Sequence, residues 1–107
     1  LTIYNNFRQL KLMNEGTYRV LYRKKWEYYS GKSDPEVYRD NPFDHKILKQ
    51  DLPIYLESDE ELIKAKQKVE YYGWCMDSCE RILKQIQSRG WDIKNAIEWR
   101  KFVDGAI

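Results

Sequence analysis

A chain of 107 residues with 42% hydrophobic content is sized for one domain, and a domain this small buries only about 60–65% of its unfolded surface, so association between copies is expected to supplement its core. No apolar run approaches the ~20 residues that cross a bilayer, and no charged-then-apolar N-terminus marks a signal peptide, so a membrane partner is excluded and a soluble intracellular protein is expected. The net charge of +2 conceals an asymmetry: residues 1–33 carry seven Lys/Arg against two acids, a balance of +5, and residues 34–107 carry twelve against fifteen, a balance of −3. A basic third of this kind suits an anionic polymer or an acidic protein surface. The chain starts without Met, so a further N-terminal segment is expected.

The first predicted element is a helix over about residues 2–30, with Ile3, Phe7, Leu10, Leu21 and Tyr28 spaced near three and four. Gly16 costs roughly 1 kcal/mol there relative to Ala and marks a possible kink, and Gly31 is the expected C-cap. Pro35, Pro42 and Pro53 exclude a long helix over residues 31–57, which read as a linker-like loop with a possible helical turn around 43–50. Tyr38, Phe43 and Ile54 are candidates to pin that loop to its neighbours.

Ser58-Asp59-Glu60-Glu61 has the form of a capping box, with the Ser58 hydroxyl and the Glu61 carboxylate satisfying backbone donors at a helix start. In the helix that follows, Leu62, Ala65, Val69, Tyr72, Met76, Cys79, Leu83 and Ile86 recur at alternating intervals of three and four. Such a heptad seam is expected to pack in a bundle or between subunits, and Tyr71, Cys75 and Ile82 widen it for more than one neighbour. Ser88-Arg89-Gly90 is expected to close this helix and Asp92 to cap a short last one carrying Ile93, Ala96, Ile97, Trp99 and Val103, with Gly105 beyond its end. No segment reads as a strand, so the fold class is all-α.

Within the first helix, Arg23-Lys24-Lys25 stands beside Trp26, Tyr28 and Tyr29. Cations supply salt-sensitive attraction to phosphates and flat rings supply faces for unpaired bases, a combination suited to single-stranded nucleic acid. The same rings also serve as core or subunit-interface residues; Trp26 is assigned to an interface, and Tyr28 and Tyr29 fit either role. Cys75 and Cys79 stand four apart on one helix face with a single His, His45, about thirty residues away, so no closed four-ligand zinc site assembles from one chain. Both are expected as reduced thiols, with no metal and no cofactor. There is no phosphate-binding glycine loop and no H-E-x-x-H, and no enzymatic activity is expected.

Glu27-Tyr28-Tyr29-Ser30-Gly31, followed by Tyr72-Gly73-Trp74, Cys79, Ile86-Gln87-Ser88-Arg89-Gly90-Trp91 and Trp99-Arg100-Lys101-Phe102, resembles the UvsY recombination mediators of T-even-type bacteriophages. The resemblance covers about residues 17–31 and 52–105. The loop at 32–51 departs from the pattern in length and composition, and the family extends further at the N-terminus. The resemblance implies an all-α protein forming a ring-like homo-oligomer, a hexamer or heptamer. It also implies binding of single-stranded DNA and loading of the phage recombinase onto DNA covered by single-strand-binding protein, in recombination, repair and replication in the cytoplasm of the infected host.

Arg23 and Lys25 match the family's DNA-binding cations, Lys24 is added on charge, Arg19 and Lys32 flank them, and Tyr28 and Tyr29 complete the candidate DNA site. The family's C-terminal self-association agrees with the seam, so Val69, Tyr72, Met76, Leu83, Ile86, Trp91 and Trp99 are the candidate oligomerisation residues. This divides one helical domain into a basic DNA-binding helix (1–31), a loop (32–57) and an oligomerisation region (58–105). The competing reading is a helical homo-oligomeric scaffold that binds proteins alone.

Overall fold

The computed structural model describes residues 2–93, the last four as backbone only. Every regular element among them is helical: α1 (Thr2–Tyr29), α2 (Pro35–Asp40), a 3₁₀ turn (Lys49–Asp51), α3 (Leu52–Glu57) and α4 (Glu60–Ile93). The two long helices form an antiparallel hairpin. Its register is marked near the open end by the Tyr4 hydroxyl donating to Glu80 Oε1 at 3.1 Å and at the closed end by Lys25 Nζ, 3.3 Å from Asp59 Oδ2.

The heptad seam predicted on α4 meets this internal partner first. Leu62 is buried, Ala65, Val69, Tyr72, Met76, Cys79 and Leu83 are half-buried, and Phe7 of α1 lies 6.4 Å from the Tyr72 ring. Ile86, one turn past the point where α4 outruns α1, is exposed. Cys75 is buried and both cysteines are free thiols, whereas Tyr71 and Ile82, which widened the apolar face on paper, are exposed.

α1 passes through Gly16 without interruption, because one glycine's cost of about 1 kcal/mol is small against a packed 28-residue helix. A Cβ at Gly16 would meet nothing within 4 Å, so Gly16→Ala is expected to raise stability by about 0.5–1 kcal/mol in a urea titration. Gly31 is different. With φ at +79° it closes α1 as foreseen, in the paired-bond arrangement of a glycine C-cap: Lys32 N–H donates to the Glu27 carbonyl at 2.8 Å and Gly31 N–H to the Tyr28 carbonyl at 3.3 Å.

Three local expectations are corrected. The loop is partly helical, since Pro35 and Pro53 sit in the first turns of α2 and α3, where a missing N–H costs nothing; the turn sought around 43–50 is confined to Lys49–Asp51. The cap of α4 is Asp59 and not Ser58: Leu62 N–H donates to Asp59 Oδ1 at 3.0 Å, while the Ser58 hydroxyl turns back to the Ile54 carbonyl of α3 at 2.8 Å. Finally, α4 continues through Ser88-Arg89-Gly90 to Ile93, because nothing there removes a backbone donor and the glycine is tolerated as Gly16 is. The expected last helix, with Trp99, lies outside the described residues, and Trp91 falls within α4 as backbone only.

The core is thin. Leu52 and Leu56, one turn apart on α3, and Leu62 at the start of α4 form its one buried cluster among the described residues, with Tyr18, Leu21, Trp26, Tyr29 and Ile47 packed against them, and Cys75 is buried separately along α4. Ile54 points away from that face and is exposed, so it pins nothing, whereas Tyr38 and Phe43 are half-buried as expected. The radius of gyration of 22.8 Å far exceeds the roughly 13 Å of a compact domain of this length.

Candidate nucleic-acid interface

Consecutive residues on a helix diverge by about 100°, so Arg23, Lys24 and Lys25 point to three different sides of α1. The structure sorts them accordingly. Lys25 faces α4, where its ammonium lies 3.3 Å from Asp59 Oδ2 and 3.4 Å from Glu61 Oε1 with its side chain 21% exposed. Arg23 points outward at 72% exposure and makes a 3.5 Å contact with Glu27 one turn on, a weak pair in open solvent. Lys24 and Arg19 are exposed and have no ion-pair partner among the described residues. Lys32, past the cap, rests over the Trp26 ring at 4.6 Å, within cation–π range.

The two tyrosines proposed as stacking platforms are engaged internally. Tyr28 stacks on Tyr38 at 5.4 Å with 17° between planes, touches Phe43 at 5.3 Å, and donates its hydroxyl to the Asn41 carbonyl at 3.0 Å. In return the Tyr38 hydroxyl donates to the Tyr28 carbonyl at 2.8 Å and accepts from Ser33 N–H at 3.2 Å. The Tyr28 carbonyl, which also accepts from Gly31 N–H, thereby takes a second donor at the helix end. Tyr29 packs edge-on against Phe43 and at a 42° tilt against Tyr55, with its hydroxyl donating to Asp59 Oδ2 at 2.5 Å. Trp26 does sit in an interface, the intrachain one against the leucine core.

Asp59 is the hub of this region. Burial pushes its carboxyl upward, but the Tyr29 hydroxyl, the Leu62 N–H and the Lys25 ammonium together outweigh burial and hold it below the usual carboxylate range. Burial first, and then the hydrogen bond to anionic Asp59, push the Tyr29 hydroxyl well above the ordinary tyrosine value, so it remains a donor throughout the neutral range. The sequence reading missed Asp59, although Asp is as good an N-cap as Ser and the competing choice was only one residue away.

Between the end of α1, α2 and the start of α4 lies an open groove of about 660 Å³ whose walls include Arg23, Lys24, Lys25, Tyr28, Asn41 and Glu61. Of the candidate DNA residues, Arg23, Lys24, Lys25, Tyr28 and Tyr29 are thus brought to this groove at the closed end of the hairpin, and Arg19 and Lys32 are not among its walls. Among the candidate oligomerisation residues, Val69, Tyr72, Met76 and Leu83 line the side of α4 turned toward α1, and Ile86 lies exposed beyond it. No group of three or more His, Cys, Asp or Glu side chains among the described residues is placed to hold a metal ion.

The described residues form an all-α hairpin with exposed cations toward the end of α1 and large apolar side chains uncovered along its length. Its family can be stated. The family model described as the recombination, repair and ssDNA binding protein UvsY matches residues 1–106, and the chain belongs to the UvsY family. The match takes in the loop at 32–51 and the N-terminal residues that the two resembling stretches left out. The chain is also similar to the recombination protein uvsY of Enterobacteria phage T4, at 26% identity over 105 residues, covering 98% of this chain and 74% of that protein. No solved structure shows significant similarity to the chain. No helix among the described residues is long and apolar enough to cross a membrane.

Proposed function

We propose that this protein binds single-stranded DNA without sequence preference and acts as a recombination mediator, loading a phage recombinase onto DNA covered by single-strand-binding protein in the cytoplasm of the infected host. The observation that carries the reading is the exposure of Arg19, Arg23 and Lys24 in the C-terminal half of α1, Arg19 and Arg23 one turn apart on one face, in a chain of this family. Lys25 and Lys32 add to these cations, Lys25 more weakly because Asp59 and Glu61 already share its charge. Tyr28 and Tyr29 contribute by making the helix end rigid. Cations on a backbone track read phosphates and not base edges, so low sequence preference follows.

A few phosphate contacts per chain make each site weak and salt-sensitive, and a ring-like homo-oligomer, a hexamer or heptamer, offsets this through effective concentration. The domain division assigns residues 1–31 to DNA, 32–57 to bracing the helix end, and 58–105 to self-association. Val69, Tyr72, Met76, Leu83 and Ile86, with Trp91 and Trp99, are the residues proposed for that association. The thin core and the exposed Tyr71, Trp74, Ile82 and Ile86 support it, since uncovered apolar area of this kind favours contacts between copies. The family's non-catalytic role fits a protein that acts by contact alone.

The test is fluorescence anisotropy with a labelled single strand and its duplex across a salt series, with mass followed by light scattering. Tight, single-strand-preferring binding by an oligomer is expected. Replacing Arg19, Arg23 and Lys24 together by Ala is expected to make the log–log salt slope shallower by about 2 per protomer, three lost contacts at roughly 0.7 each. An oligomer that ignores both DNAs at low salt would instead leave the protein-only scaffold as the function.

A further inference from the structure

One aromatic ring of the basic segment is left over when the internal contacts have been assigned. Trp26, Tyr28 and Tyr29 are committed to the core and to the loop, but Tyr22 is 42% exposed, and among the described aromatic rings only that of Tyr18 is near it, at 6.1 Å with 48° between planes. Helical spacing gives it particular neighbours. Arg19 is three residues before Tyr22, so its exposed guanidinium borders the ring on the surface of α1, at the 5–6 Å separation typical of such positions, whereas Arg23, the next residue, diverges from it by about 100°. On its other side the ring forms one wall of a groove of about 350 Å³ between α1 and α4, with Tyr18, Ile63 and Lys66 among the other walls. That volume is within the range of small-ligand sites.

We propose that Tyr22 is the stacking platform for an unpaired base of the bound strand, which enters the mouth of this groove while Arg19, one turn away on α1, holds a neighbouring phosphate. The occupant is argued from charge. Glu57 and Glu70 outnumber Lys66 in the groove walls, so its interior does not attract a phosphate, whereas a neutral base is not disfavoured there. The cations that phosphates need stand outside, on the α1 surface. Duplex DNA has no unpaired base to offer, so the site favours single strands without reading their sequence. The inference rests on the proposed function, and its failure is separable from the failure of that reading.

The experiment compares the wild-type protein with Tyr22→Ala, Tyr22→Leu and Tyr22→Phe on two labelled strands of equal length, one of thymidines and one abasic, with mass and circular dichroism recorded for each. Wild type is expected to bind both strands, the abasic one more weakly. Tyr22→Ala and Tyr22→Leu are expected to lose roughly 5–150-fold in affinity for the thymidine strand, the value of one stacked base, with the salt slope unchanged and little loss on the abasic strand. Tyr22→Phe keeps the ring face and is expected to bind like wild type. Equal loss on both strands, no loss on either, or loss accompanied by a change in mass would overturn the assignment and make Tyr22 a structural or subunit-contact residue. A wild-type protein that binds neither strand would overturn the DNA-binding reading itself.

Discussion

Asp59→Ala is expected to destabilise the fold by about 3 kcal/mol, measured as a lowered midpoint in urea with an unchanged slope. Three losses combine. The N-cap of α4 contributes about 1 kcal/mol, the Tyr29 hydroxyl loses its acceptor at a cost of about 1–1.5 kcal/mol, and Lys25 loses its nearer carboxylate. Removing one member of a fully buried pair costs about 3–5 kcal/mol, but Lys25 retains some exposure and keeps Glu61, so its share is well below that. Asp59→Asn separates the effects, because the amide oxygen can still cap while the charge is gone.

The pH dependence follows from the same residue. The folded-state value of Asp59 is depressed, so its contribution is fully present above the unfolded value of about 3.9 and is lost as pH falls through the folded value. Tyr29 behaves in the opposite sense. Its folded value is raised, so its contribution is present below about pH 10 and declines as pH rises beyond that. Asp59→Asn is expected to flatten both limbs of a stability–pH profile, and unaltered limbs would show that other groups set them.

Leu62→Ala is expected to cost about 3 kcal/mol, within the 2–5 kcal/mol range for a buried leucine. Leu62 is 3% exposed and packs with Leu52 and Leu56 at the point where α1, α3 and α4 meet. With so few buried side chains, there is little neighbouring core to collapse into the cavity. Leu48→Ala, at a position 63% exposed, is the control and is expected to stay within about 0.5 kcal/mol of wild type. Because Leu62 N–H is the donor capped by Asp59, the double variant is expected to be non-additive. Additivity within error would mean that cap and core act separately.

What the sequence determined by itself is what local rules decide. Prolines admit only short helices between residues 31 and 57, Gly31 is where α1 can turn left-handed, and the period of Leu62 to Leu83 specifies one apolar face on α4; each depends on backbone sterics or helical period and needs no distant partner. The imbalance of charge toward residues 1–33 was equally legible, and with it the segment in which to look for a polyanion site. Tertiary structure decided which of those side chains remain available. The seam of α4 is turned toward α1, Lys25 is drawn to Asp59 and Glu61, Tyr28 and Tyr29 are consumed by Tyr38, Phe43 and Tyr55, and Arg19, Tyr22, Arg23 and Lys24 are left facing water. Composition places cations and rings on the same helix, but only the position of the second helix determines which of them it covers. Adjacent residues 100° apart meet different neighbours, and each buried ring or charge takes the partner that offsets its desolvation.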